Sequence, residues 1–228
     1  GLLQYSPRND DIVPLLSNVQ VIPLFERMLG EGILPNKFIF TSILLGCSSP
    51  EFLSQGRHMH VRIINGVPLH SDTLLANTLI SMYCKCGNLT EAKGLFCRFD
   101  ERDVVSWNVL IASYTRHGCG EEALHLFEQM QTDGMSPNSV TYICSMKACS
   151  SVCNGEKGQQ IHDQVRKHGL LYSDICVGNA LIDMYVKLGL LEKAQNVFDE
   201  LPVRDVVSWT SMIAGFVHNE WHFSALNL

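Results

Sequence analysis

The sequence predicts an all-α fold, an α-solenoid of helix-turn-helix repeats of 31 to 36 residues, on two observations. The first is an internal duplication. The hexapeptide Arg-Asp-Val-Val-Ser-Trp occupies 102–107 and again 204–209, and the same offset of 102 positions joins Gly56 to Gly158, His60 to His162, and Met82 and Tyr83 to Met184 and Tyr185. A chance hexapeptide does not carry its surroundings with it, so the period belongs to the whole chain. The second is that the long period divides into three short ones. Asn77 and Asn108 each open an Asn-x-Leu-Ile tetrapeptide, followed by Gly87 and Gly118 and by the Glu-Ala pairs at 91–92 and 122–123, which sets successive units of 35, 36 and 31 residues.

In this register the chain is a single array of units 2–36, 37–72, 73–103, 104–138, 139–174, 175–205 and a truncated 206–228. The first is only partly legible: Pro7, Pro14 and the polar run 8–11 make a poor first helix, whereas Pro23 to Met28, Gly32, Pro35 and Asn36 follow the pattern of 123–138. Unit 37–72 offers apolar Phe38, Ile39, Phe40, Ile43, Leu44 and Leu45, a Gly/Ser/Pro break at 46–50, and a second helical stretch through His58, Met59, Val61, Ile63 and Ile64. Unit 73–103 places Leu74, Leu75, Leu79, Ile80, Met82 and Tyr83 at helical spacing. Gly87 suits a left-handed cap, Asn88 with Glu91 reads as a capping box, and Ala92, Leu95, Phe96 and Phe99 form the second apolar face. Unit 104–138 repeats that plan with a longer exit loop. Units 139–174 and 175–205 mirror 37–72 and 73–103, and 206–228 begins another copy of 104–138.

No strand-like alternation or hairpin dipeptide interrupts the series, so no sheet is expected. A pair of helices of about ten residues each cannot bury its apolar stripe alone, and stacking on both sides closes the core. Ala92, Ala123 and Ala194, at one place in successive second helices, suit close helix crossings.

Composition agrees with a packed helical chain: 46% of residues are hydrophobic and 18% charged, with no low-complexity tract. The uncharged run 104–115 is about half the length that spans a bilayer, so no membrane segment is expected. Nine cysteines are an odd number without framework spacing, and Cys47 and Cys149 hold equivalent places in apolar runs, as buried free thiols would. His58-x-His60 and Cys84-x-Cys86 lack zinc-finger spacing, and Gln160, Val186 and Leu188 replace His58, Cys84 and Cys86 in the duplicate; no metal or other cofactor is expected. With no nucleophile elbow, phosphate loop or zinc-deaminase signature, these residues are not expected to be an enzyme. Gly1 and Leu228 suggest a piece of a longer chain.

At this point the residues resemble a known family, the pentatricopeptide repeat proteins, and within it the PLS subclass of plant organelles, whose units alternate in length. The segment 104–114 with Gly118, Glu122, Ala123, Leu124, Leu126, Phe127 and Met130 resembles the standard unit. Gly158 to His162 resembles the long unit, and Leu181 to Tyr185 with Lys187 and Gly189 the short one. The match covers nearly all of 33–228, while 2–23 departs from it. The resemblance implies a right-handed superhelix binding single-stranded RNA, one nucleotide per unit, with two side chains reading each base.

Carried over residue by residue, the fifth and last positions pair Ser6 with Asn36, Thr41 with Asp72, Asn77 with Asp103, Asn108 with Asn138, Ile143 with Asp174, and Asn179 with Asp205; Thr210 begins a seventh pair. The second residues that pack against bases are Leu74, Val105, Val140, Cys176 and Val207. By the family's code, Asn with Asp resembles a uridine reader, Asn with Asn a pyrimidine reader preferring cytidine, and Ser with Asn an adenosine reader. Long units follow the code poorly, so Thr41 and Ile143 count as weak or silent. The implied target, 5′ to 3′, is A, an undefined base, U, C or U, an undefined base, then U.

Simpler readings stand beside these. Asp72, Asp103, Asp174 and Asp205 precede helices, where Asp is a common N-cap, a role that can coexist with base reading. Trp107 and Trp209 are expected buried between helices rather than stacked on bases. The net charge of −6 opposes phosphate-driven binding. The function implied by the resemblance is recognition of cytidine-to-uridine editing sites in mitochondrion or chloroplast, with a deaminase-like tail beyond Leu228. The partners are single-stranded organellar RNA and editing cofactors or ribosomal components, and neither membrane nor DNA. The alternative is a structural solenoid or scaffold in an organellar ribonucleoprotein such as the mitochondrial ribosome.

Overall fold

Each described first helix starts where a short polar side chain stops a loop. The last residue of each unit is the N-cap of the next first helix: Asn36, Asp72, Asp103, Asn138, Asp174 and Asp205 accept from the backbone N–H of Ile39, Leu75, Ser106, Thr141, Cys176 and Ser208 at 2.8–3.1 Å. The computed structural model describes residues 18–66, 72–99 and 101–226. Only α-helices and one 3₁₀ turn occur among the described residues, in helical hairpins as expected. The chain divides into two halves, Gly1–Glu101 and Arg102–Leu228.

The first half holds α1 (Asn18–Gly30), α2 (Lys37–Gly46), the 3₁₀ turn Pro50–Phe52, α3 (Leu53–Gly66), α4 (Thr73–Lys85) and α5 (Leu89–Arg98). First helices α2 and α4 pack on each other, with second helices α3 and α5 behind them. The second half holds α6 (Val104–Arg116), α7 (Gly120–Thr132), α8 (Ser139–Ser151), α9 (Gly155–Lys167), a short α10 (Leu170–Ser173), α11 (Ile175–Lys187), α12 (Leu191–Glu200) and α13 (Val206–Leu226). Its first helices form one packed layer in the order α6, α8, α11, α13.

The first-helix layer is held by burial. Trp107, Leu110, Tyr142, Met146, Leu181 and Tyr185 are fully buried, each contributing about 1.5–3 kcal/mol by leaving water. Second helices meet one another through exposed polar pairs: Arg62 with Glu26 and Arg57 with Glu91 in the first half, Lys157 with Glu128 and Arg166 with Glu200 in the second. Such pairs set register more than stability. Ala92, Ala123 and Ala194 are fully buried, as their small size and position suggested. Gly56 and Gly158 mark the tightest duplicated crossing. A Cβ there would lie 2.5 and 2.9 Å from the sulfurs of Met82 and Met184.

Helix α1 runs through Pro23, since neighbouring turns carry the helix past the single amide it lacks. Three local features differ from the sequence reading. Helix α10 was not foreseen; Gly169 at φ 70° ends α9 and the buried Leu171 pins the extra turn. Helix α13 continues unbroken to Leu226 because the position equivalent to Gly118, whose φ is 77°, is Glu220, which disfavours the left-handed turn. Asn88 caps α5 through the Glu91 amide, but the Glu91 carboxylate takes the Asn88 side-chain N–H instead of completing a capping box.

Trp107 is fully buried as expected, whereas Trp209 is 54% exposed. Helix α8 packs over α6, and no described helix takes that place on α13; Trp209 instead meets Phe198 edge-on at 4.8 Å. Cys47 and Cys149 are buried free thiols, pushed up to about 11 and about 12, in each case chiefly by burial. The two histidines of His58-x-His60 face different partners, His58 taking Arg62 and His60 taking the Tyr83 hydroxyl at 2.9 Å. His162 and Tyr185 repeat that second contact at 2.9 Å. Burial lowers both His60 and His162, keeping them neutral, and raises Tyr83 and Tyr185 to about 12. Cys86 donates to the carbonyls of Cys47 and Ser49. No helix among the described residues is long and apolar enough to cross a membrane.

Cys153, between α8 and α9, is the one described non-glycine residue at positive φ, 55°. A side chain there strains the backbone by about 1 kcal/mol or more. Cys153→Gly is therefore expected to raise stability by about 1 kcal/mol in denaturant unfolding; unchanged or lower stability would contradict the assignment of strain.

Candidate functional site

Within the second half, two of the expected reading pairs are joined by hydrogen bonds. Asn108 on α6 donates from Nδ2 to Asn138 Oδ1 at 3.1 Å, and Asn179 on α11 donates from Nδ2 to Asp205 Oδ1 at 3.0 Å. Each pair closes on a hydroxyl from the first turn of the following helix. Thr141 Oγ1 donates to Asn108 Oδ1 at 2.6 Å and accepts from the Asn138 backbone N–H at 3.1 Å. Ser208 Oγ donates to Asn179 Oδ1 at 2.6 Å and accepts from the Asp205 backbone N–H at 3.2 Å.

These contacts fix which end of each amide faces where. Asn138 and Asp205 must present an oxygen to the amides of Thr141 and Ser208, because an N–H needs an acceptor. Asn108 and Asn179 must then turn Nδ2 towards that oxygen, which leaves Oδ1 for the hydroxyl. The Ser208 amide first, with the Asn179 side chain assisting against partial desolvation, holds the Asp205 carboxyl below the usual carboxylate range, so it is ionised near neutral pH.

The remaining expected residues fall as follows. Thr41 hydrogen-bonds back to the Lys37 carbonyl at 2.8 Å, and Asp72 pairs with Lys37 at 3.1 Å while capping α4, so no described bond joins Thr41 to Asp72. Partial burial works to raise the Asp72 carboxyl, but the Leu75 amide and Lys37 together hold it below its ordinary range. Ile143 is apolar and half-buried, and Asp174 only caps α11. Asn77 is half-buried on α4 in the first half; Asp103 caps α6 in the second, with a complete capping box through Ser106. Asn36 is an exposed cap whose expected partner, Ser6, lies outside the described residues. Thr210 bonds back to Val206 on α13.

The expected base-packing residues are side chains that a core would otherwise claim. Leu74, Val105, Val140 and Val207 are about half exposed, and Cys176 is exposed as well. Phe38, 63% exposed at the second position of its unit, belongs with them; its register alone, two residues after the cap Asn36, was the available signal. In the second half Val105, Val140, Cys176 and Val207 recur once per first helix, three residues before each fifth position. Together the features amount to a series of hydrogen-bonding edges separated by exposed, mostly aliphatic residues, suited to flat rings with polar edges.

Comparison with known proteins places this arrangement. Models described as PPR repeat match residues 75–104, 179–206 and 207–228, and one described as PPR repeat family matches 102–151. Among curated proteins of Arabidopsis thaliana, a pentatricopeptide repeat-containing protein is 38% identical over 92% of this chain and 29% of its own length. One named as chloroplastic is 35% identical over 86% of this chain and 32% of its length, and one named as mitochondrial 38% identical over 97% and 34%. The chain thus spans about a third of these relatives. Of solved structures, the pentatricopeptide repeat protein PPR10 from maize aligns with a TM-score of 0.69 at 19% identity, over 92% of this chain and 30% of that one. PPR10 in complex with an 18-nt psaJ RNA element aligns at 0.66 and 20%, over 95% and 33%. At such identities the likeness is one of fold.

Proposed function

We propose, from the premise that the chain belongs to the pentatricopeptide repeat family, that its repeats bind single-stranded RNA in a plant organelle and read bases through the Asn108–Asn138 and Asn179–Asp205 pairs. The observation that carries this is the recurrence of one oriented amide edge beside exposed aliphatic residues on two first helices, α6 and α11. Capping alone does not require an Asn five residues into the preceding first helix.

Base edges give the pairs different preferences. The ionised Asp205 offers only acceptors, which suits the N3–H of uracil; the outer end of the Asn138 amide is a donor, which suits N3 of cytosine. The Asn179 side chain is 8% exposed, so a base reaches it edge-on. Repeats lacking the oriented amide, those of Thr41 and Ile143, contribute little discrimination. One structural neighbour was solved with an 18-nt RNA element, and relatives bear chloroplastic and mitochondrial names, which supports an organellar RNA partner.

Within that reading, unit lengths alternating among 36, 31 and 35 favour the PLS subclass and recognition of cytidine-to-uridine editing sites by a longer protein containing this array. The silent Ile143 pair and the charge of −6 are what favour a scaffold instead. Competition binding separates the two. Asn179→Thr in the full-length protein is expected to move the preference at its base from uridine towards guanosine by roughly ten-fold, from the 1–3 kcal/mol that a good base contact is worth. Equal binding of all four RNAs by both proteins would favour the scaffold. With few cations to release counterions, log affinity is expected to fall shallowly with log salt; a steep slope like that of a basic-patch protein would contradict base-edge binding.

A further inference from the structure

We infer that Thr141 and Ser208 are positioning residues for base reading, each fixing the amide of the preceding repeat's Asn, so that a repeat reads its base only when the next one supplies a hydroxyl at its third position. This rests on the RNA-reading proposal above and adds residues that the fifth-and-last pairing does not contain.

The geometry is the same in both copies. The hydroxyl has one proton, and its shortest acceptor is the Asn oxygen, at 2.6 Å in each case, against 3.0 Å to the cap oxygen. One of its two lone pairs accepts the cap residue's own backbone N–H. Both hydroxyl residues are fully buried, so water does not substitute for them. Without the hydroxyl the Asn oxygen loses its one described protein donor, and the amide, tethered only through Nδ2 to the cap oxygen, turns about that bond and no longer holds one fixed edge before the base. Such freedom turns a uridine edge into an ambiguous one.

The sequence carries the same rule. Third positions with a hydroxyl, Ser106, Thr141 and Ser208, follow the units whose fifth residue is Asn77, Asn108 or Asn179. Third positions that are aliphatic, Ile39, Leu75 and Val177, follow the units of Ser6, Thr41 and Ile143. Leu75 and Val177 are fully buried core residues, and there Thr41 bonds to its own helix and Ile143 has no polar group to orient.

The test uses the full-length protein and RNAs that differ only at the base assigned to Asn179 and Asp205. Ser208→Ala is expected to lower the preference for uridine over cytidine there by about three- to ten-fold, the worth of one hydrogen bond, while preference at the Asn108 position stays as it was. Ser208→Thr should retain the preference. Thr141→Ala should reproduce the loss at the Asn108 position alone, which separates local positioning from a general loss of folding. If Asn179→Ala abolishes the uridine preference and Ser208→Ala leaves it whole, the positioning role is overturned and base reading survives. If Asn179→Ala also changes nothing, base reading itself fails and the inference with it.

Discussion

Trp107→Ala in the 228-residue chain is expected to cost about 3–5 kcal/mol, and Trp209→Ala about 1 kcal/mol, although both residues end the same hexapeptide. Trp107 is fully buried in a layer where α8 covers α6. Its removal leaves a cavity the size of an indole, which surrounding helices close only in part. Trp209 is 54% exposed and packs on Phe198, so its loss removes an aromatic contact and little buried area. Denaturant midpoints of the two variants measure the difference. Equal shifts would mean that burial in the array follows the motif and not the neighbours that cover it.

The same contrast shows why part of the structure was legible in the sequence and part was not. Helix pairs, their caps and the buried Ala92, Ala123 and Ala194 are set by residues a few positions apart and repeated in register, so pattern sufficed. The burial of Trp209 depends on which helix packs over α13, and nothing within the hexapeptide encodes that. Helix α13 runs on because a glycine is missing at position 220, an absence easily passed over when the repeats are matched by what they share. For the site, the family's register pointed to the pairs; in the second half Asn108 meets Asn138 and Asn179 meets Asp205, whereas Ile143 has no polar group to offer Asp174. The hydroxyls of Thr141 and Ser208 were not legible beforehand, because they act on residues 33 and 29 positions earlier, a separation with no local signature. Capping leaves Asp205 able to do more: one oxygen accepts both the Ser208 amide and the Asn179 side chain, and the carboxylate keeps a second oxygen.

The second large effect follows from that arrangement. Asp205→Asn keeps an N-cap, since Asn caps as well as Asp, and Asn138 already holds the same place beside Asn108 with the same bonds. Stability should therefore change little. What changes is the group offered to the base: an acceptor-only carboxylate becomes an amide whose outer end is a donor. The wild-type protein should favour uridine over cytidine at this base, and the variant should favour cytidine, each by roughly ten-fold, equivalent to about 1.4 kcal/mol. The measurement is competition binding of full-length wild type and Asp205→Asn to two RNAs that differ only by uridine or cytidine at that position. A reversed preference at unchanged stability is the predicted result, and the same preference, or none, in both proteins would contradict base reading by this pair.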